Sequence, residues 1–285
     1  MRLIIHAGLH KTATTSFQRL CFNNVSILAK GGLLYPNLDN KINHNKIAIW
    51  VQSNYKKRLY DFLQVNFQLA LQNGLHSVLI SAEDLENVLI DILDAKEFNI
   101  MAQEIGFDNI DWIFIRRSSF DYLQSIYAEL SKHNLCLNFV DLANVILKNG
   151  FFTASGLNYH WKFVFDIKKF FPLLSKKIEG NSFSHLLSFS DFVSGFPGKS
   201  LLSLYVEENL VKSIEQINKK TIKVNQRISA EEVELRYLFN FLNIRYTSEN
   251  VQKYQRRFND LILSRLNYIE HNTSIIKNEF SMKYF

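Results

Sequence analysis

The chain has 285 residues, is 47% apolar and carries a formal net charge of +6, from 33 Lys and Arg against 27 Asp and Glu. That is apolar enough for a sizeable core and too weakly basic to argue for nucleic acid, so the charge points to acidic ligands instead. No apolar run reaches the length of a membrane span, and the N-terminus reads as a strand rather than a secretion signal. The two cysteines, Cys21 and Cys136, read as buried thiols in a reducing, cytoplasmic setting rather than as a disulfide or metal framework.

The first stretch is the most informative. Leu3-Ile-Ile-His6-Ala is a short apolar strand that turns at Gly8 and passes Lys11 into Thr12-Ala13-Thr14-Thr15-Ser16. Phe17, Leu20, Cys21, Asn24 and Leu28 then fall on one face at steps of three and four, which predicts a helix ended by Gly31-Gly32. A strand, a tight loop and a helix start form an anion site, because the first N–H groups of a helix lack partners within it and the dipole adds partial positive charge. Gly8, His10, Lys11, Thr12, Ala13, Thr14, Thr15 and Ser16 are the candidate phosphate- or sulfate-binding residues. The loop is not the nucleoside-triphosphate pattern G-x-x-x-x-G-K-[ST]: Lys11-Thr12 fits its end, but His10 precedes the lysine and Gly8 comes too close.

Leu33 to Pro36 reads as a short extended piece and 37–45 as a polar loop. A long helix is expected from about Lys46 to Gln72, ended by Asn73-Gly74. Ser77–Ser81 is an apolar strand running into Glu83-Asp84. Ala95–Ile105 reads as a helix and Asp111–Ile115 as a third strand, with Arg116-Arg117 at its end and a helix over 119–133. Continuous apolar strands separated by helices predict an α/β fold with a parallel sheet flanked by helices. In such sheets ligands bind beyond the carboxyl ends of the strands, where Gly8 to Thr15, Glu83-Asp84 and Arg116-Arg117 all fall. The C-terminal part is helix-rich. An aromatic stretch over 158–171 ends before Pro172, a fourth parallel strand is expected over His185–Phe189, and 200–217 reads as helical. Ser229-Ala-Glu-Glu232 is a capping box, and 250–267 is amphipathic and basic. No linker divides the chain, so one domain over 1–285 is expected.

The motif His6-Ala-Gly8-Leu-His-Lys11-Thr12-Ala13-Thr14-Thr15-Ser-Phe-Gln18 resembles the 5′-phosphosulfate loop H-x-G-x-x-K-T-G-T-T-x-x-Q of bacterial carbohydrate sulfotransferases, with Ala13 in place of the usual glycine. Ala there is strained if φ is positive and harmless if the residue is already helical; the helical reading is the expectation. Arg117 followed eight residues later by Ser125 resembles the 3′-phosphate site of the same family, in which Arg116 often accompanies it. The resemblance implies a P-loop NTPase-like sulfotransferase fold that uses 3′-phosphoadenosine 5′-phosphosulfate (PAPS) without a metal and releases 3′-phosphoadenosine 5′-phosphate. It further implies a hydroxyl of a glycan or glycolipid as acceptor, in bacterial surface polysaccharide biosynthesis, with room for peripheral membrane contact.

Within that reading Lys11 places charge on the leaving oxygen, and Glu83, in the S-x-E that family members often show past this strand, is the first choice of base. His44, before a long helix, is a candidate to line the acceptor cleft. His6 is the further rival base and reads more simply as a core histidine. Asn225 and Arg227, in Lys223-Val-Asn225-Gln-Arg227-Ile-Ser229, resemble a late family element that closes over the nucleotide; a loop with a helix cap explains them as well. The aromatic cluster Tyr159 to Phe165 reads as packing. The alternatives are a nucleotide-dependent kinase with an atypical phosphate loop and a non-catalytic relative that binds nucleotide or glycan.

Overall fold

The computed structural model describes residues 1–53, 55–133, 136–156, 159–178, 180–218 and 228–284. In chain order the elements are β1 (Arg2–Gly8), α1 (Thr14–Asn23), α2 (Val25–Lys30), β2 (Leu33–Leu34), α3 (Asn45–Gln52), α4 (Lys56–Gln72), β3 (Ser77–Ser81), a 3₁₀ turn (Glu83–Leu89), α5 (Ile92–Ile105) and β4 (Asn109–Arg116). There follow α6 (Ser119–Leu130), α7 (Phe139–Asn149), β5 (Phe151–Gly156), β6 (Tyr159–Val164), α8 (Ile167–Lys177), β7 (Ser182–Ser188), α9 (Phe189–Val193), α10 (Lys199–Leu202), α11 (Glu208–Asn218), α12 (Ala230–Phe241) and α13 (Ser248–Tyr284).

These elements form two compact units, each assembled from separate stretches of chain. The first holds Met1–Arg117 and the run from Ile167 through α11. Its sheet is parallel throughout, in the order β2-β3-β1-β4-β7. The expected α/β class with a parallel sheet flanked by helices is therefore present. Side chains alternate across the central strands. Ile4, Leu79, Ile113 and Ile115 pack with Phe17, Leu20 and Phe192 on one face, under α1, α2, α9 and α10. Leu3, Ile5, Val78, Ile80, Trp112 and Phe114 are buried on the other.

The second unit holds Ser118–Asp166 with α12 and α13. Its β5 and β6 pair antiparallel, Ala154 opposite Trp161 and Phe152 opposite Phe163. Glu234 on α12 is buried and accepts from the Tyr127 hydroxyl at 2.8 Å and from Arg265 Nε at 2.7 Å, so its charge is paired. Arg265 also lies 3.8 Å over the Tyr237 ring.

Several expected elements take a different form. The first helix breaks at Asn24, whose side chain bonds back to the Leu20 carbonyl at 2.8 Å instead of continuing the turn. The expected long helix is two, α3 and α4, interrupted after Gln52. The aromatic stretch divides between the strand β6 and the first turns of α8, and Pro172 lies inside α8 rather than beyond it. Proline there costs one hydrogen bond, while Ile167, Phe170 and Leu174 still make one continuous buried stripe. Cys21 is buried as expected and its thiol is pushed well up by burial, but Cys136 is exposed. The fourth parallel strand is present as β7, and the Ser229 hydroxyl caps α12 by accepting from the Glu232 N–H. No helix is long and apolar enough to cross a membrane among the described residues.

Candidate functional site

The sheet order fixes where a site belongs. From β1 the chain leaves toward β2 on one side; β4 and β7 lie on the other. The crevice at the carboxyl ends of β1 and β4 is thus the topological switch point of the sheet. Here β1 carries a bulge: His6 pairs with Ile113 and Gly8 with Phe114, so the strand bends as it enters the loop.

Gly8 takes φ 74°, and a Cβ there would stand 3.2 Å from Thr14 Cγ2 and 3.3 Å from Glu83 Cα. Both handedness and space demand glycine. The loop then turns on two further left-handed residues, Lys11 (φ 60°) and Ala13 (φ 62°), with Thr12 between them on the ordinary side. Alternating handedness of this kind turns successive N–H groups toward one concavity, an anion nest. Ala13 is the N-cap of α1, and its carbonyl accepts from the Ser16 and Phe17 N–H groups at 3.1 Å. The N–H groups of residues 12–15 have no acceptor among the described residues. The helical expectation for Ala13 is therefore corrected: the residue lies in the left-handed region, at a cost of roughly 1–2 kcal/mol for an L-residue.

The side chains of the loop divide in their tasks. Thr12 is buried and its hydroxyl closes the turn on the Leu9 carbonyl at 2.5 Å. The Thr14 hydroxyl donates to Glu83 Oε2 at 2.5 Å, tying α1 to the end of β3. Lys11, Thr15 and Ser16 are half-buried.

His10 does not present itself to a ligand. Its backbone N–H donates to Glu86 Oε2 at 2.9 Å, its Nδ1 to the same oxygen at 2.7 Å and its Nε2 to Asp84 Oδ1 at 3.0 Å. With carboxylates at both ring nitrogens the imidazole is a cation. Burial opposes that charge, but the bonds from Asp84 and Glu86 and the charges of Glu86 and Glu83 raise it to about 10. The expected binding contribution of the His10 N–H is withdrawn for this reason: it is already spent.

Arg117 donates through Nη1 to the Lys11 carbonyl at 3.1 Å, and its guanidinium lies 5.0 Å over the Phe189 ring. The structure thus brings Arg117 to the loop that carries Lys11. Arg116 ends β4, half-buried and paired with Ser188 in the ladder. Ser125 belongs to the second unit, where its hydroxyl donates to the Asp121 carbonyl at 2.8 Å. Asn225 and Arg227 lie outside the described residues.

The other two candidate histidines, His44 and His6, are core residues. His44 is fully buried; its Nε2 donates to the Pro36 carbonyl and its Nδ1 accepts from the Ser81 N–H, both at 2.9 Å. Burial pushes it down to about 4. Both nitrogens are engaged by backbone, so the expected place in an acceptor cleft is corrected to a structural one. His6 is also fully buried, stacked on Phe192 at 5.4 Å and edge-on to Phe17 at 4.8 Å. Its Nδ1 meets Ser81 Oγ at 2.8 Å, and burial pushes it down to about 3. His6 Nε2 has no hydrogen-bond partner among the described residues.

Sequence reasoning missed the His10–Asp84–Glu86 cluster. The only signal for it was a histidine inside an anion loop together with three acids in one turn, Glu83, Asp84 and Glu86. Comparison with protein-family models, with curated proteins and with solved structures finds no match.

Proposed function

We propose that this chain is a PAPS-dependent sulfotransferase that moves a sulfuryl group to a hydroxyl of a glycan or glycolipid. The observation that carries the reading is the nest at the end of β1: N–H groups of residues 12–15 without acceptors, flanked by the cations Lys11 and Arg117. A group with several anionic oxygens fits that donor set. The nature of the transferred group and of the acceptor rests on the resemblance of the loop motif.

Sulfuryl transfer asks a protein for positioning, charge on the leaving oxygen and a base, much as phosphoryl transfer does. The N–H groups of residues 12–15 hold the 5′-phosphosulfate oxygens. Lys11 offsets the negative charge that develops on the bridging oxygen when the sulfur–oxygen bond to the 5′-phosphate breaks. Glu83 accepts the proton of the acceptor hydroxyl as its oxygen bonds to sulfur. Its Oε2 is held by Thr14, while Oε1 has no hydrogen-bond partner among the described residues. Arg117 supports the loop through the Lys11 carbonyl and is the proposed contact for the 3′-phosphate.

Calorimetry without magnesium tests the reading: adenosine 3′,5′-bisphosphate should bind and ATP should bind far more weakly. A preference for ATP with magnesium favours the kinase alternative. Binding of the bisphosphate without turnover on any glycan favours the non-catalytic one, which the strained Ala13 supports. Mass spectrometry of surface glycans from cells with and without the gene identifies the acceptor.

A further inference from the structure

The anion nest is held by a second, buried set of charges that contacts no ligand in the proposed chemistry. His10 stands two residues past Gly8 and one before Lys11, and donates three hydrogen bonds to the acidic turn that follows β3. Glu86 is fully buried and takes two of them on one oxygen; Asp84, half-buried, takes the third. A buried carboxylate is tolerable only with a cation and donors of this kind. Removing the imidazolium takes a hydrogen bond and a neighbouring cation away from the buried Glu86 carboxylate.

The geometry points to His10 as a positioning residue: an imidazolium clamp that pins the anion-binding loop to the Glu83–Leu89 turn and so fixes both the left-handed backbone at Lys11 and Ala13 and the place of Glu83. This inference rests on the function proposed above, whose loop it concerns. Backbone strain is what the clamp restrains. Two non-glycine residues lie in the left-handed region, Lys11 and Ala13, and such a strained conformation persists only where its surroundings over-determine it. Three fixed bonds at the residue just before Lys11 supply that restraint. The same clamp sets Glu83: its neighbour Asp84 is tied to His10, while its own carboxylate is tied to Thr14 at the far end of the loop. The acids Asp84, Glu86 and Glu83 face His10, and they hold the ring charged from acid to mildly alkaline conditions.

Three readouts on the full chain test this. Nitrogen-15 spectra of the wild type should show His10 with protons on both nitrogens from pH 6 to 9. A neutral ring at pH 7 overturns the clamp, whether or not any variant folds. Amide exchange of Ser16 and Phe17, both bonded to the Ala13 carbonyl, should speed up at least tenfold in His10→Gln, with little change in the strands; unchanged protection overturns it. Adenosine 3′,5′-bisphosphate should bind His10→Gln at least tenfold more weakly, with partial recovery in His10→Arg, which restores a charged fork. Wild-type affinity in His10→Gln overturns the clamp as well. If the wild type itself does not bind the bisphosphate, the sulfotransferase reading fails and the spectra and exchange still decide the clamp.

Discussion

The Thr14 hydroxyl donates to Glu83 Oε2 across 2.5 Å and so joins the first residue of α1 to the first residue after the end of β3 but one. One carboxylate oxygen is thereby oriented, and the other has no hydrogen-bond partner among the described residues. Replacing Glu83 by Gln keeps the shape and an oxygen for Thr14 but removes the basicity. The expected outcome is a kcat lower by roughly 10²–10⁴, the usual worth of a positioned base, with the Kd for adenosine 3′,5′-bisphosphate changed less than threefold. Steady-state kinetics beside calorimetry check it. Retention of most turnover would make Glu83 a purely structural partner of Thr14.

Arg117 touches the loop through the Lys11 carbonyl. Arg117→Ala should weaken binding of adenosine 3′,5′-bisphosphate by about 2–4 kcal/mol, since it deletes a charge-assisted contact and a support of the nest. Adenosine 5′-phosphate should lose much less. An equal loss for the two nucleotides assigns Arg117 to the loop alone and removes it from the 3′-phosphate.

Much of this arrangement was legible in the sequence. Ser77–Ser81 and the core of β4 are continuous apolar runs, which only a doubly covered parallel strand explains well. The polar residues at their ends follow from the fold rule. What was not legible depends on partners far along the chain. His10 meets Asp84 and Glu86 across 74 and 76 positions, and His44 meets Ser81 across 37. Nothing local tells a histidine cation from a histidine core residue; burial and partner decide. The hairpin β5–β6 was missed because Tyr159-x-Trp161-x-Phe163, a period of two, lies beside the helical pattern of α8 and reads as one aromatic block. The backbone at Ala13 was misread because alanine favours the helix that begins one residue later.

The histidines give stability a predictable pH dependence. His6 and His44 fold neutral, with values pushed down to about 3 and about 4, whereas an unfolded histidine titrates near 6.5. Below pH 6.5 the unfolded chain gains protons that the folded chain refuses, so stability falls as pH falls. His10 is the opposite case, raised to about 10. Its contribution is fully present below pH 6.5 and is lost as pH rises toward 10. Each such group contributes a slope of about 1.4 kcal/mol per pH unit within its window. Stability should therefore peak near pH 6.5 and fall about twice as steeply on the acid side, down to pH 4, as on the alkaline side. Denaturant titrations from pH 4 to 9 measure this. In His10→Gln the alkaline fall should flatten, and in His44→Gln the acid slope should halve.

Sulfuryl groups carry less charge than phosphoryl groups, and Lys11 with the helix N-terminus already supplies positive charge at the proposed leaving oxygen. Turnover should therefore survive excess chelator with less than a twofold change. Strict dependence on added magnesium would favour phosphoryl transfer.

Ala13 offers the sharpest test of the loop backbone. It sits at φ 62° and ψ 20° as the N-cap of α1, with no side-chain capping bond. An alanine there carries a Cβ close to its own backbone, at roughly 1–2 kcal/mol, and glycine carries none. Glycine also makes the unfolded chain more flexible, which returns part of that gain to the unfolded state. The net expectation for Ala13→Gly is a stabilisation of about 0.5–1 kcal/mol, read as a rise in Tm. The nest keeps its shape, because the conformation is the one glycine adopts freely, so bisphosphate affinity should stay within twofold of the parent. A residue in the helical region gives the opposite sign, since glycine inside a helix costs roughly 0.5–1 kcal/mol relative to alanine. A fall in Tm would thus place Ala13 inside α1 and remove the alternating turn on which the anion nest depends.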